Sequence, residues 1–169
     1  DVEVDRNGNL WAWWIPSGAR ADAPALVIGS HLDSVPDGGA FDGPLGVVSS
    51  FAALDAARNA GLSPGAPIAV VAFADEEGAR FGIACAGSRL MTGQLQPDKA
   101  RALRGRDGAT MAEAMVAAGH DPSGLGRDDE RLARIGMFVE LHVEQGRLLI
   151  DEGASVGVAT SIWPHGRYR

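Results

Sequence analysis

The sequence has a single cysteine, Cys85, among 169 residues. No intrachain disulfide can form, so nothing points to an oxidising compartment. No apolar run approaches the roughly 20 residues of a membrane span, and the N-terminus lacks the basic, apolar, small-residue order of a secretory signal. The cytoplasm is therefore the expected location. Positive charge is in deficit: 15 Lys and Arg stand against 22 Asp and Glu, for a net charge of −7 and a pI near 5.0. That balance argues against a nucleic-acid partner, because neutralising phosphates needs a surplus of cations. A Ser/His/Asp nucleophile elbow, a phosphate-binding Gly loop of the usual spacing and a CxxC pair are all missing. So are internal repeats. The chain also lacks an initiator Met and begins and stops on β-like stretches, so it is expected to be a segment of a longer polypeptide.

What is present suits one soluble domain with a real core, with 46% hydrophobic and 22% charged residues. Val2 to Ile15 reads as a β-hairpin turning at Asn7-Gly8-Asn9. Its tryptophans, Trp11, Trp13 and Trp14, read either as a stacking surface or as packing between the sheet edge and its helices, and the second is favoured. Ala25 to Ser30 and Pro67 to Ala74 are apolar runs of the kind buried on both faces of a sheet. Between them, Pro44 to Ala60 has helical spacing and a stop at Gly61. Ala86 to Gly93 and Thr110 to Ala118 predict short helices. Asp121 to Glu130 predicts an exposed loop. Gly136 to Glu144 and Ser155 to Trp163 predict further strands. The alternation of strands and helices predicts an α/β fold, with a mixed central sheet flanked by helices on both faces. Such sheets bind ligands at the carboxyl ends of their strands.

The chemically distinctive residues fall at those ends. His31 and Asp33, two apart after an apolar strand, can project to one side, where a carboxylate orients a metal-ligating imidazole. The alternative is a hydrogen-bonded structural histidine. Asp42, in a Gly-rich loop before a helix, reads in isolation as an N-cap, or as a carboxylate bridging two cations. Glu76 and Glu77 close the second buried run. Adjacent carboxylates point differently, so one can ligate metal while the other accepts a proton, unless the pair is only a solvated acidic turn. His142 lies in Glu140-Leu141-His142-Val143-Glu144, where alternation predicts Glu140, His142 and Glu144 on one face. A lone histidine of this kind is usually structural, but here it is the second at a strand terminus. Imidazoles with carboxylates suit zinc, manganese, cobalt or nickel. Cys85 lies outside these motifs and reads as a small core residue.

Three stretches in order, GSHLDSVPDGGAFDGPLGV (Gly29 to Val47), FADEEGARFG (Phe73 to Gly82) and ELHVEQG (Glu140 to Gly146), resemble the hydantoinase/carbamoylase amidases. These lie within a wider clan of aminoacylase-like dinuclear metallohydrolases. The resemblance covers essentially the whole chain. It implies two divalent metal ions held by His31, Asp42, Glu77 and His142, with Asp42 bridging. It also implies Glu76 as general base, Asp33 behind His31, Gln145 at the substrate pocket and a cis peptide at Asp42-Gly43. The implied reaction is metal-assisted hydrolysis of an N-carbamoyl (ureido) C–N bond, in an N-carbamoyl-L-amino acid or allantoate. A dipeptidase or aminoacylase, and a non-catalytic fragment that keeps the fold, are the alternatives. Residues 1–169 would be the N-terminal, metal-binding part of a catalytic domain. A final metal-ligating His and a lid domain that supports homodimers and contacts the substrate carboxylate would lie beyond them. Neither His120 nor His165 sits in the context of that final ligand.

Overall fold

The computed structural model describes residues 2–161. Its centre is a five-stranded mixed sheet, ordered β1-β2-β4-β3-β5. β1 (Val2–Val4) and β2 (Leu10–Trp14) form the expected hairpin, antiparallel from Val2↔Ala12 to Val4↔Leu10. The buried Asp5 carboxylate organises its turn by accepting the backbone N–H groups of Asn7 and Asn9 and the indole N–H of Trp11. β2 then pairs antiparallel with β4 (Ile68–Phe73). β4 pairs parallel with β3 (Ala25–His31), and β3 pairs parallel with β5 (Ile135–Val139). The three adjacent strands β4, β3 and β5 therefore finish at the same edge of the sheet.

The near-continuous apolar character of β3 and β4 follows from burial on both faces. On one face Trp11, Val27, Ala69 and Val71 form a core with Met91 of α2 (Ala86–Met91), and Leu132 of α5 (Asp129–Ala133) packs against it. On the other, Val70 and Ala72 meet Val47 of α1 (Pro44–Asn59), with Ala12, Ile28 and Leu54 around them. Trp11 is fully buried and stacks on Trp13 with ring centroids 5.9 Å apart, so these two tryptophans pack the sheet against its helices. A separate small core, Leu90, Leu95, Ala100, Met111 and Leu125, joins α2 to α3 (Pro97–Ala102) and α4 (Met111–Ala117). Thr110 opens α4 with a full capping box to Glu113.

Four expectations need correction. β5 ends at Val139 rather than Glu144, because its ladder with β3 stops at the Ile28↔Val139 pair. Residues 155–161 form no strand, and Val156 and Val158 are 72% and 90% exposed. Alternating apolar residues need a partner edge to become a strand, and none of the described strands pairs with them. Ile162 and Trp163 lie outside the described residues. Asp121 to Glu130 is not simply an exposed loop: Pro122–Gly124 is a 3-10 turn, Leu125 is buried, and the buried Asp128 caps α5 by accepting the N–H of Arg131. Finally, no peptide among the described residues is cis. The chain turns at Gly43 through a φ of 87°, a conformation glycine adopts without strain.

Candidate metal centre

His31 is the last residue of β3, is 1% exposed, and directs Nε2 toward the carboxylates of Asp42 (3.9 Å) and Glu76 (3.7 Å). Its Nδ1 lies 2.8 Å from the main-chain carbonyl of Asp33. A carbonyl can only accept, so the proton of the neutral ring is on Nδ1, and Nε2 presents a bare lone pair. His142 repeats the arrangement three residues past β5. Its Nδ1 is 2.8 Å from the Val143 carbonyl, and its Nε2 is 3.2 Å from Asp42 Oδ1. Asp42 Oδ1 is buried and has no hydrogen-bond partner. Two imidazole nitrogens thus face a buried carboxylate oxygen that has no hydrogen-bond partner. A buried acceptor left unpaired is costly, and a cation would satisfy it. The donor set fits a metal ion.

Two groups of potential donors share His31: one with Asp42 and His142, the other with Glu76 and Glu77, and within each the ligand atoms lie within 4.8 Å of one another. All four expected donors, His31, Asp42, Glu77 and His142, reach one region from three separate stretches. Glu77 holds its proton more tightly than an ordinary glutamate. Burial is the main cause, followed by contact with the Asp42 carboxyl and the charge of Glu76, while His31 opposes them. Crowded carboxylates of this kind are relieved by a proton or by a cation. Asp42 is not the helix N-cap: Gly43 occupies that place without a side-chain cap. A Cβ on Gly43 would stand 2.4 Å from His31 Nδ1, so a glycine there lets the loop close over the ring.

Asp33 sits behind His31, as expected, and has a second task. It meets His31 through its carbonyl, and its carboxylate, 3.7 Å from the ring, accepts the backbone N–H groups of Glu76 (3.1 Å) and Glu77 (3.0 Å). It thereby fixes the glutamate pair. The same turn is closed from behind, where the N–H groups of Ala86 and Gly87 donate to the carbonyls of Asp75 and Ala74. Asp75 and Cys85, on either side of Glu76, have φ of 48° and 58°. Such left-handed non-glycine residues gather at functional sites.

Gln145 donates to Asp42 Oδ2 at 2.7 Å. Of the three residues predicted to share a face, Glu144 leaves the site and accepts the N–H groups of Leu148 and Leu149 at the start of α6 (Leu148–Asp151). Cys85 is not a core residue: its Sγ–H donates to Glu76 Oε1 at 3.3 Å. Burial first, then Glu76, pushes its thiol up to about 11, which disfavours a thiolate nucleophile. His120 is exposed beyond α4, and His165 lies outside the described residues.

Sequence reasoning gave no role to Ser30, which donates to Glu140, or to Asp75, whose carboxyl is pushed up to about 6 by burial and by Asp33. A lone polar residue in the apolar run before His31 was the available signal for Ser30. The left-handed backbone of Asp75 leaves no mark in sequence.

Fold and site together define an α/β protein with a metal-type donor cluster at the carboxyl edge of its parallel strands. The chain belongs to the Peptidase family M20/M25/M40, whose profile matches residues 27–161. Among curated proteins it is 46% identical to an N-carbamoyl-L-amino acid amidohydrolase of Geobacillus stearothermophilus, over 95% of this chain and 39% of that protein. It is 36% identical to an allantoate amidohydrolase of Bacillus subtilis, over 99% of this chain and 40% of that protein. A solved hydantoinase/carbamoylase family amidase from Burkholderia ambifaria superposes with a TM-score of 0.74 at 38% identity, covering 90% of this chain and 36% of that one. The chain thus spans about two fifths of the length of the relatives it matches.

Proposed function

We propose that this chain is the metal-binding part of the catalytic domain of an amidohydrolase. The enzyme would cleave the C–N bond of an N-carbamoyl (ureido) compound such as an N-carbamoyl-L-amino acid or allantoate. The observation that carries the reading is the pair of bare imidazole nitrogens aimed at the unpartnered Asp42 oxygen. The ureido class is supported by the names of the relatives. The proposed donors are His31, Asp42, Glu77 and His142, holding two divalent ions with Asp42 shared. Zinc, manganese, cobalt and nickel all suit imidazole with carboxylate. When bound, such ions polarise a carbonyl oxygen and make water more acidic.

The chain's own residues do the rest. Glu76 is not needed as a donor in this assignment, and Asp33 holds it through its backbone N–H. It takes a proton from the attacking water as the new C–O bond forms at the carbamoyl carbon. It returns that proton to the departing nitrogen as the C–N bond breaks. Cys85 holds one carboxylate oxygen of Glu76, leaving the other, Oε2, on the His31 side. Asp33 and the closed turn keep that oxygen in place. We further propose a cytoplasmic homodimer for the intact protein, a setting supported for location by the single cysteine.

The test is an assay of the intact protein, stripped with chelator and reloaded with Mn2+ or Zn2+, against N-carbamoyl-L-amino acids, allantoate and N-acyl amino acids. Metal-dependent turnover of the ureido compounds is expected. Preference for N-acyl substrates would move the protein to the aminoacylase reading, and absence of metal binding would remove the hydrolase reading.

A further inference from the structure

His142 lies beyond the end of its strand, so the β3–β5 ladder does not itself hold it in place: the last register pair is Ile28 with Val139. One side-chain bond bridges from the sheet to the segment just past that point. Ser30, 1% exposed and next to His31, donates its hydroxyl to Glu140 Oε1 at 2.6 Å across 110 residues of sequence. The first turn of α1 presses on the same junction. A Cβ on Gly46 would come within 2.4 Å of the Leu141 carbonyl oxygen and 2.6 Å of Ser30 Cβ, so a glycine lets the helix seat against residues 140–142. Farther along, Gln145 ties the segment to Asp42.

We infer that Ser30 and Glu140 form a strut that sets the position of His142 relative to His31 and Asp42. They are positioning residues for the metal centre rather than donors to it. Ser30 is rooted in the strand that presents His31, so the strut fixes one imidazole with respect to the other. Groups that orient a metal ligand alter affinity about 10–100-fold when removed. Losing the strut leaves the ligands intact but frees the 140–142 segment to shift. The inference rests on the reading of His142 as a metal donor, and its test separates the two.

The experiment is calorimetric titration of the metal-free intact protein with Mn2+, for wild type, Ser30→Ala, Glu140→Ala, Glu140→Gln and His142→Ala. Ser30→Ala and Glu140→Ala are expected to weaken the His142-dependent ion by at least about tenfold, with the melting temperature of the metal-free protein nearly unchanged. Glu140→Gln keeps an acceptor oxygen and should bind close to wild type. If His142→Ala loses an ion while Ser30→Ala and Glu140→Ala bind like wild type, the strut is refuted. If Glu140→Gln falls as far as Glu140→Ala, the charge matters rather than the bond, and the strut is again refuted. If His142→Ala changes nothing, the donor assignment itself fails and the strut with it.

Discussion

Glu76 is the residue on which the proposed chemistry turns. Its backbone is held by Asp33, one carboxylate oxygen is held by Cys85, and the other faces His31 at 3.7 Å. Replacing it with alanine is expected to lower turnover by roughly 10²–10⁴-fold while leaving two-ion binding intact by calorimetry. Substantial residual turnover would assign the proton transfer elsewhere. Gly43 is tested differently. An alanine there must adopt a φ of 87° and place its Cβ 2.4 Å from His31 Nδ1, against a ring with no room to retreat. Gly43→Ala is expected to cost about 1–3 kcal/mol of stability, the usual penalty of overpacking. It should also weaken metal binding, measured by denaturant unfolding and by titration.

Among the elements, the hairpin shows how charge fastens an edge. Glu3 on β1 accepts the indole N–H of Trp13 at 2.7 Å and pairs with Arg131 of α5. Those partners, Arg131 foremost, hold its carboxyl below the usual glutamate range despite some burial. A depressed folded value contributes stability above the ordinary pKa and loses it as pH falls through the folded one. For a partly exposed pair the gain is at most about 1 kcal/mol. Glu3→Gln should therefore be slightly less stable than wild type at about pH 6, with the gap closing toward about pH 3 in parallel urea titrations.

The same scale shows what could be read in advance. β3, β4 and α1 were legible because a long apolar run or a full helical period carries its own signature. The six-residue α3 and the five-residue α5 went unread, although α2, as short as α3, was expected from its sequence. In α5 the Asp-rich entry that suggested a loop is its cap. The alternation of residues 140–144 imitated a strand for another reason. Glu140 serves the Ser30 bond, His142 the contact with Asp42 and Glu144 the start of α6, three separate tasks that fall at a period of two. The donors themselves were visible as a set at strand ends. Their tautomers, the two-handed role of Asp33 and the Cys85 contact depend on backbone geometry that no spacing encodes.

For the whole molecule, metal and fold are linked through mass action. An ion that binds only the folded state at a hundred times its Kd adds about 2.7 kcal/mol. Mn2+ or Zn2+ should therefore raise the melting temperature of the intact protein, and the rise should shrink in His31→Ala. Beyond the site, β5 is an edge strand carrying Met137 at 62% exposure and Val139 at 50%, an apolar border that invites pairing with other strands. A polypeptide of residues 1–169 alone is expected to associate with rising concentration in light scattering, and Met137→Lys to suppress it.

Between Glu77 and His142 the chain leaves the sheet, builds the small core of Leu90, Leu95, Ala100, Met111 and Leu125, and returns along β5. None of the proposed donors lies on that excursion, and its turn around Gly108 is exposed to solvent. The Gly108 turn can therefore be treated as an interchangeable spacer, whereas Cys85 and Glu140, near the two ends of the excursion, serve the site. A fluorescent tag or a foreign peptide inserted after Gly108 should be carried without disturbing the ions, because the two ends of the detour are pinned to the sheet independently of its length.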